Sequence, residues 1–177
     1  MNLRFEADLD RPALRDVVDR IAAQPALWRP LVRLDAGQRH FAQLWRDDHV
    51  DVWVISWMPG HDTGYHDHDL SGGAVAVVEG RLVEERLVIG STSRMSQYDA
   101  GETFDFDAAH VHRMHQPGPD ASVSIHAYSP PLWRMGSYAI EPDGTLRRTS
   151  ISYAEELRPA EAGLAKHRAV TGAQALT

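Results

Sequence analysis

Apolar residues recur at helical spacing near the start of the sequence, after Asp10. The recurring positions are Leu14, Val17, Val18 and Ile21. This spacing places them on one face of a helix, Pro12 is tolerated in the first helical turn, and Pro25 ends the pattern. The pattern therefore predicts a helical head, about residues 10–33, that packs on the outside of a sheet.

Beyond Phe41 the pattern changes to short runs of β-branched and aromatic residues separated by Gly, Pro and Asp. We interpret as strands the residues 49–57, 74–79, 81–89, 103–106, 110–114, 121–128 and 138–140. Many short strands at regular spacing are typical of a sandwich or a barrel. We therefore predict an all-β fold in a single domain over residues 1–177, with the barrel at about 40–152 and a loosely specified tail at 153–177.

Gly80 lies between the predicted strands 74–79 and 81–89. Glycine adopts a positive φ at no steric cost, and tight hairpin turns require such a residue. The sequence therefore predicts a β-hairpin whose turn is formed by residues 78–81.

The composition narrows the chemistry and the partners. The chain has no cysteine, which excludes disulfides, zinc–thiolate sites, iron–sulfur clusters and cysteine nucleophiles. The net charge of −7 disfavours a nucleic-acid or membrane-surface partner, because phosphates are bound by basic stripes. The first residues are acidic where a signal peptide has an apolar core, and no apolar run is long enough to span a membrane. We therefore expect a cytoplasmic protein.

Two histidines two residues apart indicate a metal site. In an extended strand alternate side chains point to the same side, so His66 and His68 lie about 6–7 Å apart on one face. A third imidazole would complete the site, and His112 is the candidate in the segment 110–115. That segment also contains His110 and His115, and alternation alone does not choose among the three.

A second group of polar residues occupies alternate positions in the predicted strand 121–128. Ser124, His126 and Tyr128 would point to one face, where their side chains can form a hydrogen-bonded relay. A plain solvated face is the alternative interpretation. A serine hydrolase triad is a further one, but no nucleophile elbow accompanies these residues.

These motifs resemble those of a known family over about residues 41–131. The spacings Gly60-x5-His66-x-His68 with Gly80, and Gly101-x5-Asp107-x-Ala109-x2-His112-x3-Gln116, are similar to the two cupin motifs. The segment His126-x-Tyr128-Ser129-Pro130-Pro131 is similar to the signature of cysteine dioxygenases. The resemblance implies a cupin β-barrel in which three histidines hold ferrous iron, and an enzyme that uses dioxygen to convert a thiol to a sulfinate.

The resemblance also assigns roles to residues of this chain. It implies that His66, His68 and His112 are the iron ligands, and that Ser124, His126 and Tyr128 form a relay beside the iron. The partners that it implies are a small thiol and dioxygen, in a monomer or a homodimer.

Gly73 is a departure from the family pattern. The general cupin motif places a glutamate ligand at this position, and animal cysteine dioxygenases have there a cysteine crosslinked to the active-site tyrosine. Glycine provides neither group, so the resemblance implies a neutral site of three histidines and a Tyr128 that is not crosslinked.

A second departure concerns the substrate. The segment from Phe41 to Trp45 corresponds to the first barrel strand, where cysteine-specific members carry an arginine, and here that position is Gln43. In this respect the chain resembles the glutamine-bearing branch of the family, which prefers 3-mercaptopropionate or other mercapto acids. In that branch an arginine after the strand that carries the tyrosine binds the substrate carboxylate. We expect Phe41, Gln43 and Arg134 to contact the substrate; a surface role is the alternative for Arg134.

Two other functional classes stay open. The same histidines occur in cupins that are isomerases or dioxygenases of carbon substrates, and manganese, nickel or zinc are possible metals because affinity alone does not select iron. A cupin that binds a metal or a ligand without turnover is the second class.

Overall fold

The computed structural model of the chain describes residues 4–88 and 90–152. In this part of the chain two α-helices, α1 (Arg11–Ala22) and α2 (Pro25–Trp28), and a 3₁₀ turn (Arg29–Leu31) precede the strands. The strands are β1 (His40–Arg46), β2 (Asp51–Trp57), β3 (Tyr65–Asp67), β4 (Gly72–Glu79), β5 (Arg81–Arg86), β6 (Arg94–Asp99), β7 (Thr103–Phe106), β8 (His112–His115), β9 (Ser122–Ser129), β10 (Arg134–Ile140) and β11 (Leu146–Ser152). Neither described helix has the length and hydrophobicity of a membrane span.

Helix α1 begins at the predicted position. The Asp10 side chain accepts a hydrogen bond from Ala13 N at 3.0 Å, which caps the first turn. The four apolar positions of the predicted face are buried and belong to one core cluster with Ala74 of β4 and Ile125 of β9. The predicted helical head on the outside of a sheet is confirmed.

The strands form two antiparallel sheets that face each other. The first has the order β1-β2-β9-β4-β7, and the second has the order β11-β10-β3-β8-β5-β6. One buried core cluster takes side chains from both sheets, among them Trp57, Val75 and Phe106 from the first sheet and Leu82 and Met114 from the second. This shared core lies between the sheets and confirms the predicted all-β architecture.

Strand β9 is buried along its whole length and pairs with β2 on one side and β4 on the other. Its apolar residues belong to the core beneath α1. Because side chains alternate along a strand, Ser124, His126 and Tyr128 point into the space between the sheets. All three are buried, which excludes a solvated polar face.

The predicted hairpin at Gly80 is wrong. Strand β4 belongs to the first sheet and β5 to the second, so the two strands do not pair. Gly80 does have a positive φ of 70°, and an added Cβ would lie 2.5 Å from the hydroxyl oxygen of Ser122. Glycine is therefore needed at a turn that carries the chain from one sheet to the other.

The strand pattern does not predict β1, β3, β6 and β11; β1 is indicated only by the family resemblance, and β3 only by the two histidines. The edge strands β6 and β11 have no buried residue, so no apolar alternation marks them. Strand β10 begins at Arg134, earlier than predicted. The predicted strand 81–89 ends at Arg86; its residue 89 and the predicted tail 153–177 lie outside the described residues.

Candidate metal centre

Three histidines meet on the inner face of the second sheet. Residues His66 of β3 and His112 of β8 are direct partners in the pairing of these strands, and His68 follows the end of β3. Each offers a ring nitrogen, and these nitrogens all lie within 4.8 Å of one another. All three side chains are buried. The structure therefore brings together the three residues that the motifs indicate.

Hydrogen bonds fix the orientation of two of these rings. His66 Nδ1 lies 3.1 Å from the carbonyl oxygen of Gly64, and His112 Nδ1 lies 2.7 Å from Oε1 of Glu84. Since both oxygens are acceptors, each Nδ1 donates its hydrogen, and the lone pair of each ring is on Nε2. This is the tautomer in which Nε2 can bind a metal.

Glu84 is a buried carboxylate that serves two histidines. Its Oε1 accepts hydrogen bonds from His112 Nδ1 and His110 Nε2, both at 2.7 Å. Burial alone would raise the pKa of Glu84, but these two hydrogen bonds lower the pKa to about 2. Glu84 is therefore ionised at neutral pH and holds the His112 ring. The sequence gives no signal for this role, because β5 and β8 become neighbours only in the sheet.

The nitrogens that face the centre fit a metal ion. Both ring nitrogens of His68 and Nε2 of His112 are buried, and none has a hydrogen-bond partner among the described residues. Burial lowers the pKa of His68 far below its usual range and that of His112 to about 3, so both rings are neutral. A buried polar atom without a partner is costly, and a bound metal ion would supply a partner for Nε2 of His112 and for one ring nitrogen of His68. Neutral imidazoles suit iron, zinc, copper and nickel.

The three polar residues of β9 form a hydrogen-bonded chain. Ser124 Oγ lies 2.8 Å from His126 Nε2, and His126 Nδ1 lies 3.0 Å from the hydroxyl oxygen of Tyr128. The indole nitrogen Nε1 of Trp57 donates to Ser124 Oγ at 2.9 Å. Burial lowers the pKa of His126 to about 3, so this ring is neutral as well.

Trp57 adds a donor at one end of this chain. An indole N–H can only donate, so Ser124 Oγ accepts from it, and the second lone pair of Oγ allows the bond to His126 Nε2 to run in either direction. In the tautomer that accepts from Ser124 at Nε2, the ring hydrogen is on Nδ1 and is donated to the Tyr128 oxygen. The hydroxyl hydrogen of Tyr128 then points away from His126. Sequence patterns do not reveal Trp57, since it lies 67 residues from Ser124.

A mostly apolar cavity adjoins the histidines and Tyr128. Its lining residues are Arg39, Phe41, Trp53, Ile55, Trp57, Thr63, His66, His112, Met114, His126, Tyr128, Leu132 and Met135. Arg39 is the one cationic side chain among these described residues, and its guanidinium carbon lies 5.3 Å from the centre of the Trp57 ring. No acidic side chain of the described residues lines the cavity. The sequence does not single out Arg39, because it precedes the first strand and belongs to no motif.

Of the three expected substrate residues, the structure places one in the cavity wall and two outside it. Phe41 lines the cavity. Gln43 is exposed, and its Nε2 donates to Oδ1 of the buried Asp51 at 2.9 Å. Arg134 is also exposed, and it alternates along β10 with Met135, which lines the cavity. Neither Gln43 nor Arg134 is brought to the cavity with the histidines.

Gly73 lies beside Tyr128 in the pairing of β4 with β9. A Cβ atom added to Gly73 would lie 3.1 Å from Cδ1 of Tyr128. Glycine thus leaves the tyrosine ring without a reactive or acidic neighbour at this position, and the histidine nitrogens meet without a carboxylate from β4.

Solved structures with a similar fold come from several bacteria. TT1209 from Thermus thermophilus has a TM-score of 0.52 and 14% identity, covering 58% of this chain and 92% of that chain. A Klebsiella pneumoniae protein with a double-stranded β-helix domain has a TM-score of 0.51 and 16% identity, covering 68% and 92%. BH2720 from Bacillus halodurans has a TM-score of 0.50 and 20% identity, covering 75% and 86%. At these identities the likeness shows the fold, and it confirms the cupin type of double-stranded β-helix.

The sequence itself matches a family model. The match is to cysteine dioxygenase type I and extends over residues 5–140, from the segment before α1 to the end of β10. It includes the three histidines, Glu84 and the whole relay of β9. Because it covers most of the chain, this protein belongs to the cysteine dioxygenase type I family.

Proposed function

We propose that this protein is a non-haem iron dioxygenase that converts a small mercapto acid to its sulfinate. The family supports a thiol dioxygenase-type enzyme. The observation that carries the proposal is a set of three buried imidazoles with no carboxylate among its ligand atoms, beside the ring of Tyr128, whose centre lies 5.0 Å from that of His68. Such a ligand set leaves the full double charge of a bound ion to be balanced by the substrate, and a thiolate suits that need.

Iron(II) held by His66, His68 and His112 would supply the redox chemistry that joins dioxygen to the sulfur. The overall reaction is R–SH + O₂ → R–SO₂H, in which the sulfur is oxidised and dioxygen is reduced. Both oxygen atoms remain in the product, so the reaction consumes no other reductant. The protein side chains then contribute to catalysis by positioning the thiol and by placing charges and protons around it.

Arg39 would bind the carboxylate of the substrate. It is the cationic side chain of the cavity, and a guanidinium can hold a carboxylate with two hydrogen bonds. Phe41, Trp53 and Trp57 provide apolar walls for the carbon chain. Because no acidic side chain of the described residues lines this cavity, an ammonium group would have no carboxylate partner. We therefore favour 3-mercaptopropionate over L-cysteine.

Tyr128 would donate a hydrogen bond to the bound substrate. We assign to His126 the tautomer that accepts from Ser124 at Nε2, in which the hydroxyl hydrogen of Tyr128 points away from His126, and Tyr128 lines the cavity. Replacing Tyr128 with Phe removes this hydrogen and keeps the ring. We expect Tyr128→Phe to retain iron and to lower kcat by about 10²- to 10⁴-fold, whereas His112→Ala should lose iron.

Oxygen uptake by the iron-loaded enzyme tests the function. The substrates to compare are 3-mercaptopropionate, L-cysteine and mercaptosuccinate, with a 2-oxo acid and a simple alcohol as controls without a thiol. We expect kcat/KM to be highest for 3-mercaptopropionate, with one sulfinate formed for each dioxygen consumed. Thiol binding without oxygen uptake would instead support a binding protein, and uptake that requires no thiol would support a dioxygenase of carbon substrates.

A further inference from the structure

Among the three candidate ligands, His68 is held in a different way. His66 and His112 each donate a hydrogen bond from Nδ1, but neither ring nitrogen of His68 has a partner among the described residues. The ring is fully buried, so its orientation depends on the side chains packed against it. The centre of the Phe106 ring lies 4.8 Å from that of His68, with an angle of 24° between the planes, and Tyr128 lies at 5.0 Å.

Phe106 also packs against His110 and His112. Its ring is stacked on His110, with the ring centres 5.2 Å apart and an angle of 16°, and it lies 5.0 Å from the ring of His112. His110 shares Glu84 with His112. One buried phenyl ring therefore joins His68 to the hydrogen-bonded group that orients His112.

The position of the phenyl ring depends on Gly73. Gly73 is the direct partner of Phe106 in the pairing of β4 with β7. A Cβ atom added to Gly73 would lie 2.6 Å from Cε2 of Phe106 and closer still to its Cζ. Any side chain at residue 73 would therefore displace the ring, because real Cβ contacts do not reach such distances and a buried phenyl group has little room to move.

We propose that Phe106 is a positioning residue that fixes the His68 ring by stacking, in place of a hydrogen bond, and that Gly73 is required because it makes room for Phe106. This inference rests on the proposed metal site. It assigns to Gly73 a steric role, in addition to the absence of a carboxylate or a cysteine at this position. Residues 73 and 106 then act as one unit, and a larger residue 73 needs a smaller residue 106.

Cobalt(II) binding to the full-length protein tests this pairing without any turnover. The variants are Gly73→Ala, Phe106→Leu and the two combined, and the affinity is measured by the visible absorption of bound cobalt. Partners that orient metal ligands contribute about 10- to 100-fold in affinity, so each single variant should bind cobalt at least about 10-fold more weakly. The double variant should lose no more than Phe106→Leu alone, because the shorter leucine leaves space for the alanine.

Gly118→Ala is the control, since its added Cβ would meet only Gln116 Nε2, at an ordinary contact distance of 3.8 Å. It should bind cobalt as the unmodified protein does. Thermal unfolding of each metal-free variant separates a loss of metal affinity from a loss of fold, and the absorption spectrum at saturating cobalt should change in Phe106→Leu if the His68 ring has turned.

Two results would overturn the inference. One is unchanged cobalt affinity in Gly73→Ala or in Phe106→Leu, and the other is a double variant whose loss is the product of the two single losses. Cobalt binding by the unmodified protein, together with no thiol oxidation by the iron-loaded protein, would refute the proposed function alone. A protein that binds no cobalt at all would refute both.

Discussion

Arg148 forms a two-point ion pair with Asp67, the residue between the two histidines of the β3 segment. Arg148 Nε lies 2.6 Å from Asp67 Oδ2, and a terminal guanidinium nitrogen lies 2.9 Å from Oδ1. The carboxylate also accepts hydrogen bonds from Tyr138 and from the backbone of Gly136. Burial would raise the pKa of Asp67, but Arg148 and its other donors hold the pKa well below the usual range. The hairpin of β10 and β11 thus anchors the segment that carries two candidate ligands.

We therefore expect Arg148→Met to destabilise the protein and weaken its metal binding together. Removing the guanidinium leaves the mostly buried carboxylate of Asp67 with fewer partners, which costs about 1–3 kcal/mol of folding free energy. Because the Arg148 side chain is 36% exposed, we expect the lower half of this range. Urea denaturation measures the change. Arg147→Met is the control, because Arg147 pairs with Glu141 on the surface and its loss should cost less than about 1 kcal/mol. Equal effects of the two variants would refute an anchoring role for Arg148.

Glu84 gives a second prediction, this one for metal affinity. Replacing Glu84 with Gln keeps the shape of the side chain but removes the charge that holds His112 and His110. We expect the affinity for iron(II) to fall by about 10- to 100-fold, as is usual when a ligand loses its orienting carboxylate. Competition with a chelator of known affinity measures this loss. The neighbouring Glu85, which pairs with Arg113 at 3.7 Å, provides the control variant Glu85→Gln, and a similar loss there would contradict the prediction.

The alternation of side chains explains how much of this site is visible in the sequence. His66 and His68 lie two residues apart at the end of β3, and the relay lies within β9, so a period of two is enough to group them. The partners that orient them are distant in sequence: Glu84 lies 28 residues from His112, and Arg148 lies 81 residues from Asp67. Their contacts depend on the order of strands in the sheet, which no local pattern specifies.

The same limit of local patterns explains the wrong hairpin and the different placement of the expected substrate residues. The sequence correctly predicts a turn with a positive φ at Gly80, but local chemistry does not determine whether the next strand pairs with β4 or crosses to the other sheet. Gln43 and Arg134 are candidates only through their sequence positions relative to a family. The cavity is lined instead by Arg39 and Phe41, whereas Gln43, the cross-strand partner of Trp53, is exposed and donates to Asp51.

Substitution of Arg39 tests whether this residue, and not Arg134 or Gln43, binds the substrate carboxylate. Removing a charge-assisted hydrogen bond to a substrate carboxylate costs about 1.5–3 kcal/mol, which corresponds to a loss of about 10- to 150-fold in kcat/KM. We expect Arg39→Met to show this loss with 3-mercaptopropionate, mostly as a higher KM. Arg134→Met and Gln43→Ala should change kcat/KM by less than about threefold, because both side chains are exposed and neither lines the cavity. The opposite ranking in steady-state kinetics would return the carboxylate site to Arg134 or Gln43.

The buried, neutral His126 makes stability depend on pH. Its pKa is about 3 in the folded protein because burial disfavours the charged ring, whereas an unfolded chain has a histidine pKa of about 6.5. Between these values the unfolded chain binds a proton that the folded protein does not, so the stabilisation is complete above pH 6.5 and is lost as the pH falls towards 3. The slope is at most about 1.4 kcal/mol per pH unit.

Urea denaturation of the metal-free protein between pH 7 and pH 5 measures this slope, and metal-free samples are needed because metal binding would add its own pH dependence. His126→Gln cannot take up the proton when it unfolds. Its free energy of unfolding should therefore fall less steeply with acid than that of the unmodified protein, by up to about 1.4 kcal/mol per pH unit. Glu84 does not disturb the comparison, because both proteins contain it and its stabilisation is lost mainly as the pH falls from its ordinary value of 4.5 towards about 2, below this window. Parallel curves for the two proteins would mean that His126 accepts a proton within the fold, and the direction assigned to the relay from Trp57 to Tyr128 would then be wrong.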